Sequence, residues 1–79
     1  VVVYMVECAD GTFYTGWTTN VERRVKQHNA GRGAKYTKTR GPVKLVYTEP
    51  QPDRPAALKR ELQIKRLSRE QKLKLIADY

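Results

Sequence analysis

The chain is 79 residues long and carries 16 Lys+Arg against 8 Asp+Glu, a formal charge of +8 with a pI near 9.9. Its one cysteine, Cys8, excludes an intramolecular disulfide and a cysteine-rich zinc cluster, and no apolar run approaches the ~18 residues that span a bilayer. A chain of this size buries roughly 60% of the surface its unfolded form exposes, so residues 1–79 are expected to form one domain around one thin core. A lone cysteine, read as a small buried apolar residue, suits the reducing cytoplasm, and a monomer or weak oligomer is expected.

The positive charge is clustered. Asn20–Val46 holds eight basic residues and one acidic, a local +7, and Ala57–Leu75 holds seven basic and two acidic, a local +5. Such clusters suit a polyanion, because neutralising phosphates releases condensed counterions. No strongly apolar-faced basic helix is present to favour a membrane surface instead.

In chain order, Val1–Glu7 is β-branched and apolar and predicts a buried strand. Ala9-Asp10-Gly11-Thr12 supplies a turn, since Asp-Gly is a strong hairpin signal, and Phe13–Thr18 is the returning antiparallel strand. Thr19 with Glu22 three residues on forms a capping box, which predicts a helix from about Asn20 that stops at Gly31. Gly31–Gly41 is a basic, glycine-punctuated loop. Pro42–Thr48 predicts a third strand, and the prolines between Glu49 and Pro55 force an irregular connection. Asp53 caps a helix running to about Leu67, and Ser68 with Gln71 opens a terminal helix with Leu73 and Ile76 inward. The order ββαβαα predicts an α+β fold, a three-stranded antiparallel sheet flanked by helices.

Several polar residues lie where a purely structural pattern would put apolar ones. On the first helix, at 100° per residue, Arg24 and His28 border the stripe of Val21 and Val25 while Arg23 points nearly opposite. Phosphate recognition by the guanidinium and proton transfer by the imidazole fit that placement; so do an Arg24 that snorkels and a His28 bonded to a backbone carbonyl. On the later helix Glu61 falls about 40° from Ala57, inside an apolar arc that includes Leu58, Leu62 and Ile64. A salt bridge to Lys65 one turn on and a metal-binding carboxylate facing a cleft both satisfy that position. In the basic loop Arg32, Lys35, Lys38 and Arg40 surround Tyr36, a pattern that suits a phosphate track with base stacking. Nothing marks a base-reading helix, which favours shape over sequence recognition.

Taken together these residues resemble the GIY-YIG nuclease family. The first motif stands as Val2-Val3-Tyr4 and the second as Tyr14-Thr15-Gly16, the two tyrosines ten residues apart. Arg24 follows at the place of the family's helix arginine, His28 at a position that is His or Tyr in members, and Glu61 at the metal-binding glutamate. Gln27-His28-Asn29, Gly33-Ala34-Lys35-Tyr36-Thr37 and Pro42-Val43-Lys44-Leu45-Val46 are similar to the small, stand-alone, single-domain bacterial subgroup; the loop is also similar to that of structure-selective nucleases that carry an added zinc-binding domain. Val2 replaces the usual glycine of the first motif, Thr15 the isoleucine of the second, Trp17 stands where nicking-repair members have lysine, and no asparagine follows Asn29.

The resemblance implies the GIY-YIG fold and a Mg²⁺- or Mn²⁺-dependent endonuclease that cuts branched, nicked or single-stranded DNA in repair or recombination. Tyr4, Tyr14, Arg24 and His28 would be catalytic, and Glu61 the metal ligand. Arg32, Lys35, Tyr36, Lys38 and Arg40 would contact nucleic acid. A noncatalytic nucleic-acid-binding module on the same fold is the alternative.

Overall fold

The computed structural model describes all of residues 1–79. Seven elements follow in order: β1 (Val2–Glu7), β2 (Phe13–Thr18), α1 (Val21–Asn29), α2 (Lys35–Lys38), β3 (Lys44–Pro50), α3 (Arg54–Lys65) and α4 (Arg69–Ala77). The strands form one antiparallel sheet in the order β2-β1-β3. The α+β architecture is as expected, with one addition: four residues of the basic loop are helical.

β1 is central because its β-branched run is shielded on both faces, and Val3, Met5 and Val6 have no exposed surface. The hairpin to β2 turns as Asp-Gly predicts. Gly11 adopts φ +84°, which only glycine takes without strain, and Asp10 Oδ1 accepts from the Thr12 amide and hydroxyl. The pleat then sorts side chains between two faces. Val3, Met5 and Tyr47 pack with Ala57 and Ile64 of α3, joined by Phe13, Trp17, Leu75 and Ile76. Tyr4, Val6, Cys8 and Val43 form a second cluster with Tyr14 and Val25 of α1.

Helix ends follow local chemistry, with one displaced start. Asn20, and not Thr19, caps α1: its Oδ1 accepts from the Arg23 amide, and the Thr18 hydroxyl braces the Asn20 backbone. Asparagine outranks threonine as an N-cap. α1 ends where Gly31 takes φ +76°, with Gly31 N donating to His28 O and Arg32 N to Gln27 O, a Schellman closure. Asp53 caps α3 and the Ser68–Gln71 box opens α4. Asn29 then pairs both amide atoms with the Val43 backbone, which fixes the entry to β3.

Two expectations about apolar faces are corrected. Leu75 and Ile76, not Leu73, turn α4 inward, and Leu73 is exposed. On α3 only Ala57 and Ile64 are buried, while Leu58 and Leu62 face solvent. A three-stranded sheet is too narrow to cover the whole apolar arc of that helix. Glu61 therefore lies at the margin of the covered side, with its side chain 15% exposed.

Candidate active site

The hairpin and α1 bring Tyr4, Tyr14 and His28 into one aromatic cluster. Tyr4, on β1, is 1% exposed, and its hydroxyl shares a 2.7 Å hydrogen bond with His28 Nε2. Tyr14, on β2, meets the His28 ring edge-on at 5.3 Å between centroids and lies 6.5 Å from the Tyr4 ring. Its contacts within the cluster are made through the ring. Tyr36 of α2 stacks on Tyr14 at 5.9 Å and 26°.

Two glycines make this closeness possible. Gly16 stands opposite Tyr4 in the β1–β2 ladder, and a Cβ there would lie 2.7 Å from the Tyr4 hydroxyl oxygen. A Cβ on Gly33 would collide with the His28 ring at Nδ1 and with its Cα. The loop after α1 thus lies directly on the imidazole, and His28 is 1% exposed. Its Nδ1 shares a 2.8 Å hydrogen bond with the Thr37 hydroxyl of α2. Both ring nitrogens are therefore bonded to hydroxyl groups rather than to a backbone carbonyl.

Arg24 stands on α1 beside this pair. Its Nη1 donates to Gln27 Oε1 at 3.1 Å, and the guanidinium is half-buried. Burial, and then the Arg24 charge, hold the His28 imidazole below its usual range, so the ring is neutral near pH 7. Burial pushes the Tyr4 phenol up, and the nearby Arg24 cation opposes that rise. Glu61 stands on α3, which packs against β1 and β2. It forms the i,i+4 salt bridge with Lys65 at 3.0 Å, and Lys65 Nζ lies 6.0 Å from the centre of the Tyr14 ring.

The structure brings Tyr4, Tyr14, Arg24, His28 and Glu61 to one region drawn from four elements. It divides the basic loop. Arg32, Lys35 and Lys38 are exposed, and Tyr36 is 37% exposed. The Arg40 guanidinium, although its side chain is 36% exposed, is already engaged: Nε pairs with Asp10 at 3.2 Å, Nη1 donates to the Tyr36 carbonyl at 2.9 Å, and its carbon lies 4.0 Å over the Tyr36 ring. Arg40 pins the segment to the β1–β2 turn rather than offering a free fork. Gly16, Gly33 and Thr37 stand in the motifs that carry the resemblance, but their part in shaping the site is not legible there, because each acts through a contact distant along the chain.

No group of three or more His, Cys, Asp and Glu is placed to hold a metal ion, and Glu61 is the one carboxylate at the cluster. A single carboxylate suits Mg²⁺, which keeps several of its waters and takes few protein ligands. The donor set therefore fits a hydrated divalent ion once Lys65 yields its share of Glu61.

The description "GIY-YIG catalytic domain" matches residues 1–74. A UPF0213 protein of Staphylococcus haemolyticus is 58% identical over 76 residues, covering 96% of this chain and 93% of its own. Another from Natronomonas pharaonis is 59% identical, covering 96% and 89%. Among solved structures, the NMR structure of a UPF0213 protein from Bacillus halodurans matches with a TM-score of 0.61 at 49% identity, over 96% of this chain and 81% of that one. The NMR structure of an E. faecalis protein matches at 0.60 and 45%, over 90% and 76%. No helix is long and apolar enough to cross a membrane.

Proposed function

The chain belongs to the GIY-YIG catalytic-domain family, and from that footing we propose that residues 1–79 form one divalent-metal-dependent DNA endonuclease domain selective for DNA structure rather than sequence. Membership carries a nuclease-like role with a nucleic-acid substrate. The observation that best supports turnover, rather than binding alone, is the meeting of the Tyr4–His28 hydrogen bond, the Arg24 guanidinium and the Glu61 carboxylate beside exposed Lys35 and Lys38.

Each group has a task in phosphodiester hydrolysis. Glu61 would hold Mg²⁺ or Mn²⁺, which when bound supplies charge neutralisation for the leaving oxygen. Arg24 braces the non-bridging phosphate oxygens, a task suited to a planar fork. Tyr14, engaged with its neighbours through the ring, directs its hydroxyl to the attacking water. The proton given up by the attacking water replaces the one Tyr4 hands to His28 Nε2, the nitrogen 2.7 Å from its oxygen, so the phenol stays neutral. The geometry thus favours Tyr4, not Tyr14, as the phenol coupled to the imidazole. A positioned acid–base pair of this kind contributes about 10²- to 10⁴-fold.

The exposed cations Arg32, Lys35 and Lys38 follow the backbone phosphates, and their sequence-independent contacts suit branched or nicked DNA. The test is cleavage of branched, nicked and single-stranded DNA with and without Mg²⁺, with Tyr14→Phe, Arg24→Ala and Glu61→Ala as controls. Metal-dependent cutting by the wild type and its loss in all three variants is the expected result. Binding with no cutting of any substrate would overturn the enzyme reading and favour the noncatalytic module.

A further inference from the structure

Thr37 is fully buried, although it lies in the exposed basic segment between Tyr36 and Lys38. A threonine hydroxyl has one proton to donate and two lone pairs to accept with. Here the Ala34 carbonyl lies 3.0 Å from Oγ1 in donor geometry, the Ala34 amide donates to Oγ1 at 3.3 Å, and His28 Nδ1 lies 2.8 Å away. With the proton directed at Ala34 O, which also accepts from the Lys38 amide, Oγ1 can meet Nδ1 only as an acceptor. Nδ1 then carries the hydrogen.

The other end of the ring requires the same state. The Tyr4 hydroxyl is buried, and its polar neighbours are His28 Nε2 and the Arg24 guanidinium. A guanidinium can only donate. Were Nε2 also a donor, the phenolic proton would be left in the protein interior with no acceptor, at a cost of about 1–3 kcal/mol. Nε2 must therefore be the bare nitrogen that receives it.

We propose that Thr37 is a positioning residue that holds His28 in the Nδ1–H tautomer, so that Nε2 is kept free to take the proton of Tyr4. This rests on the endonuclease reading for its catalytic meaning, but the tautomer itself does not. The bland alternative is that Thr37 only closes the α2 turn through Ala34. Its position suggests more than that: the segment that carries Lys35, Tyr36 and Lys38 also presents the hydroxyl that orients the imidazole, so the substrate-facing loop and the proton acceptor form one unit.

The experiment is long-range ¹H–¹⁵N correlation spectroscopy of the full chain labelled in its single histidine, which distinguishes the two neutral tautomers and the imidazolium. The wild type is expected in the Nδ1–H form at neutral pH, Thr37→Val in a mixture of the two neutral forms, since Tyr4 alone still favours a bare Nε2, and Thr37→Ser in the wild-type form. In cleavage assays, kcat for Thr37→Val is expected to drop on the order of 100-fold with KM nearly unchanged, and Thr37→Ser to restore it.

An Nε2–H wild type, an imidazolium, or a Thr37→Val tautomer equal to the wild type overturns the proposal. Should Thr37→Val fail to fold, the wild-type spectrum and Thr37→Ala still decide it. A wild type that shows the Nδ1–H form yet cuts no DNA rejects the enzyme reading while leaving the tautomer assignment intact.

Discussion

Gly16 and Tyr4 face each other across the β1–β2 ladder so closely that a Cβ on Gly16 would lie 2.7 Å from the phenol oxygen and 2.9 Å from the carbon that bears it. The glycine of the second tyrosine motif is thus the space filled by the tyrosine of the first. Gly16→Ala must displace a buried ring held by His28, and overpacking of this kind costs about 1–3 kcal/mol. Gly33→Ala meets the His28 ring and backbone and should cost as much. Urea unfolding checks both, and a Gly16→Ala protein as stable as the wild type would contradict the packing argument.

Thr15 predicts the opposite sign. Its Oγ1 is the buried side-chain polar atom without a hydrogen-bond partner, on a side chain 2% exposed. A stranded hydroxyl costs about 1–3 kcal/mol, and valine has nearly the same shape. Thr15→Val should raise the unfolding free energy by about 1 kcal/mol, and Tm by about 4–8 °C in a domain of this size. Calorimetry showing an unchanged or lower Tm counts against it.

His28 sets the acid side of the stability profile. Its folded pKa lies below the usual value because burial, then Arg24, disfavour the imidazolium. Above an unfolded pKa of about 6.5 the ring is neutral in both states and contributes no slope. As pH falls below that value the unfolded chain takes up a proton first, so stability declines until the folded pKa is passed. The chain has one histidine, so no other side chain ordinarily titrates in this window. Urea midpoints measured from pH 7.5 to 5 should fall more steeply for the wild type than for His28→Gln.

Lys65 competes with any cation for Glu61. The pair is partly exposed, 46% on Lys65 and 15% on Glu61, so its attraction is worth about 0.2–1 kcal/mol. Lys65→Met should therefore lower the Mg²⁺ concentration for half-maximal cleavage by about 2- to 5-fold, and Glu61→Gln should remove the response. A Mg²⁺ titration of Lys65→Met that overlays the wild type would place the ion elsewhere.

The basic segment should separate into two kinds of residue. Lys35→Ala and Lys38→Ala should weaken DNA binding on all sequences and each reduce the salt slope by about one. Arg40→Ala should leave the slope nearly unchanged, because its guanidinium is engaged by Asp10 and Tyr36. It should instead speed amide exchange across Lys35–Lys38. Binding isotherms at several salt concentrations, with hydrogen exchange on the free protein, test the distinction.

Much of this molecule is readable along the chain wherever a feature depends on near neighbours. The Asp10-Gly11 turn, the Asp53 cap, the Ser68–Gln71 box, the Gly31 stop and the Glu61–Lys65 salt bridge each join residues no more than five positions apart, and each forms as local chemistry requires. α1 starts one residue later than the Thr19–Glu22 pattern predicts, because Thr19 and Asn20 are both capping types. α2 lay hidden because four residues, Lys-Tyr-Thr-Lys, are too few to show a helical period.

What tertiary structure alone decided is which side of each element is covered and what each polar group meets. Leu58, Leu62 and Leu73 match apolar positions in the pattern yet face solvent, because a three-stranded sheet has no further surface to offer them. Tyr4 and His28 are 24 residues apart, and their hydrogen bond depends on the absence of a side chain at Gly16 and at Gly33. Local sequence specifies turns and caps because their partners lie within one turn of chain. The site is set by the packing of β1, β2, α1, α2 and α3, and only in that packing does Thr37 reach the imidazole and Arg40 reach Asp10.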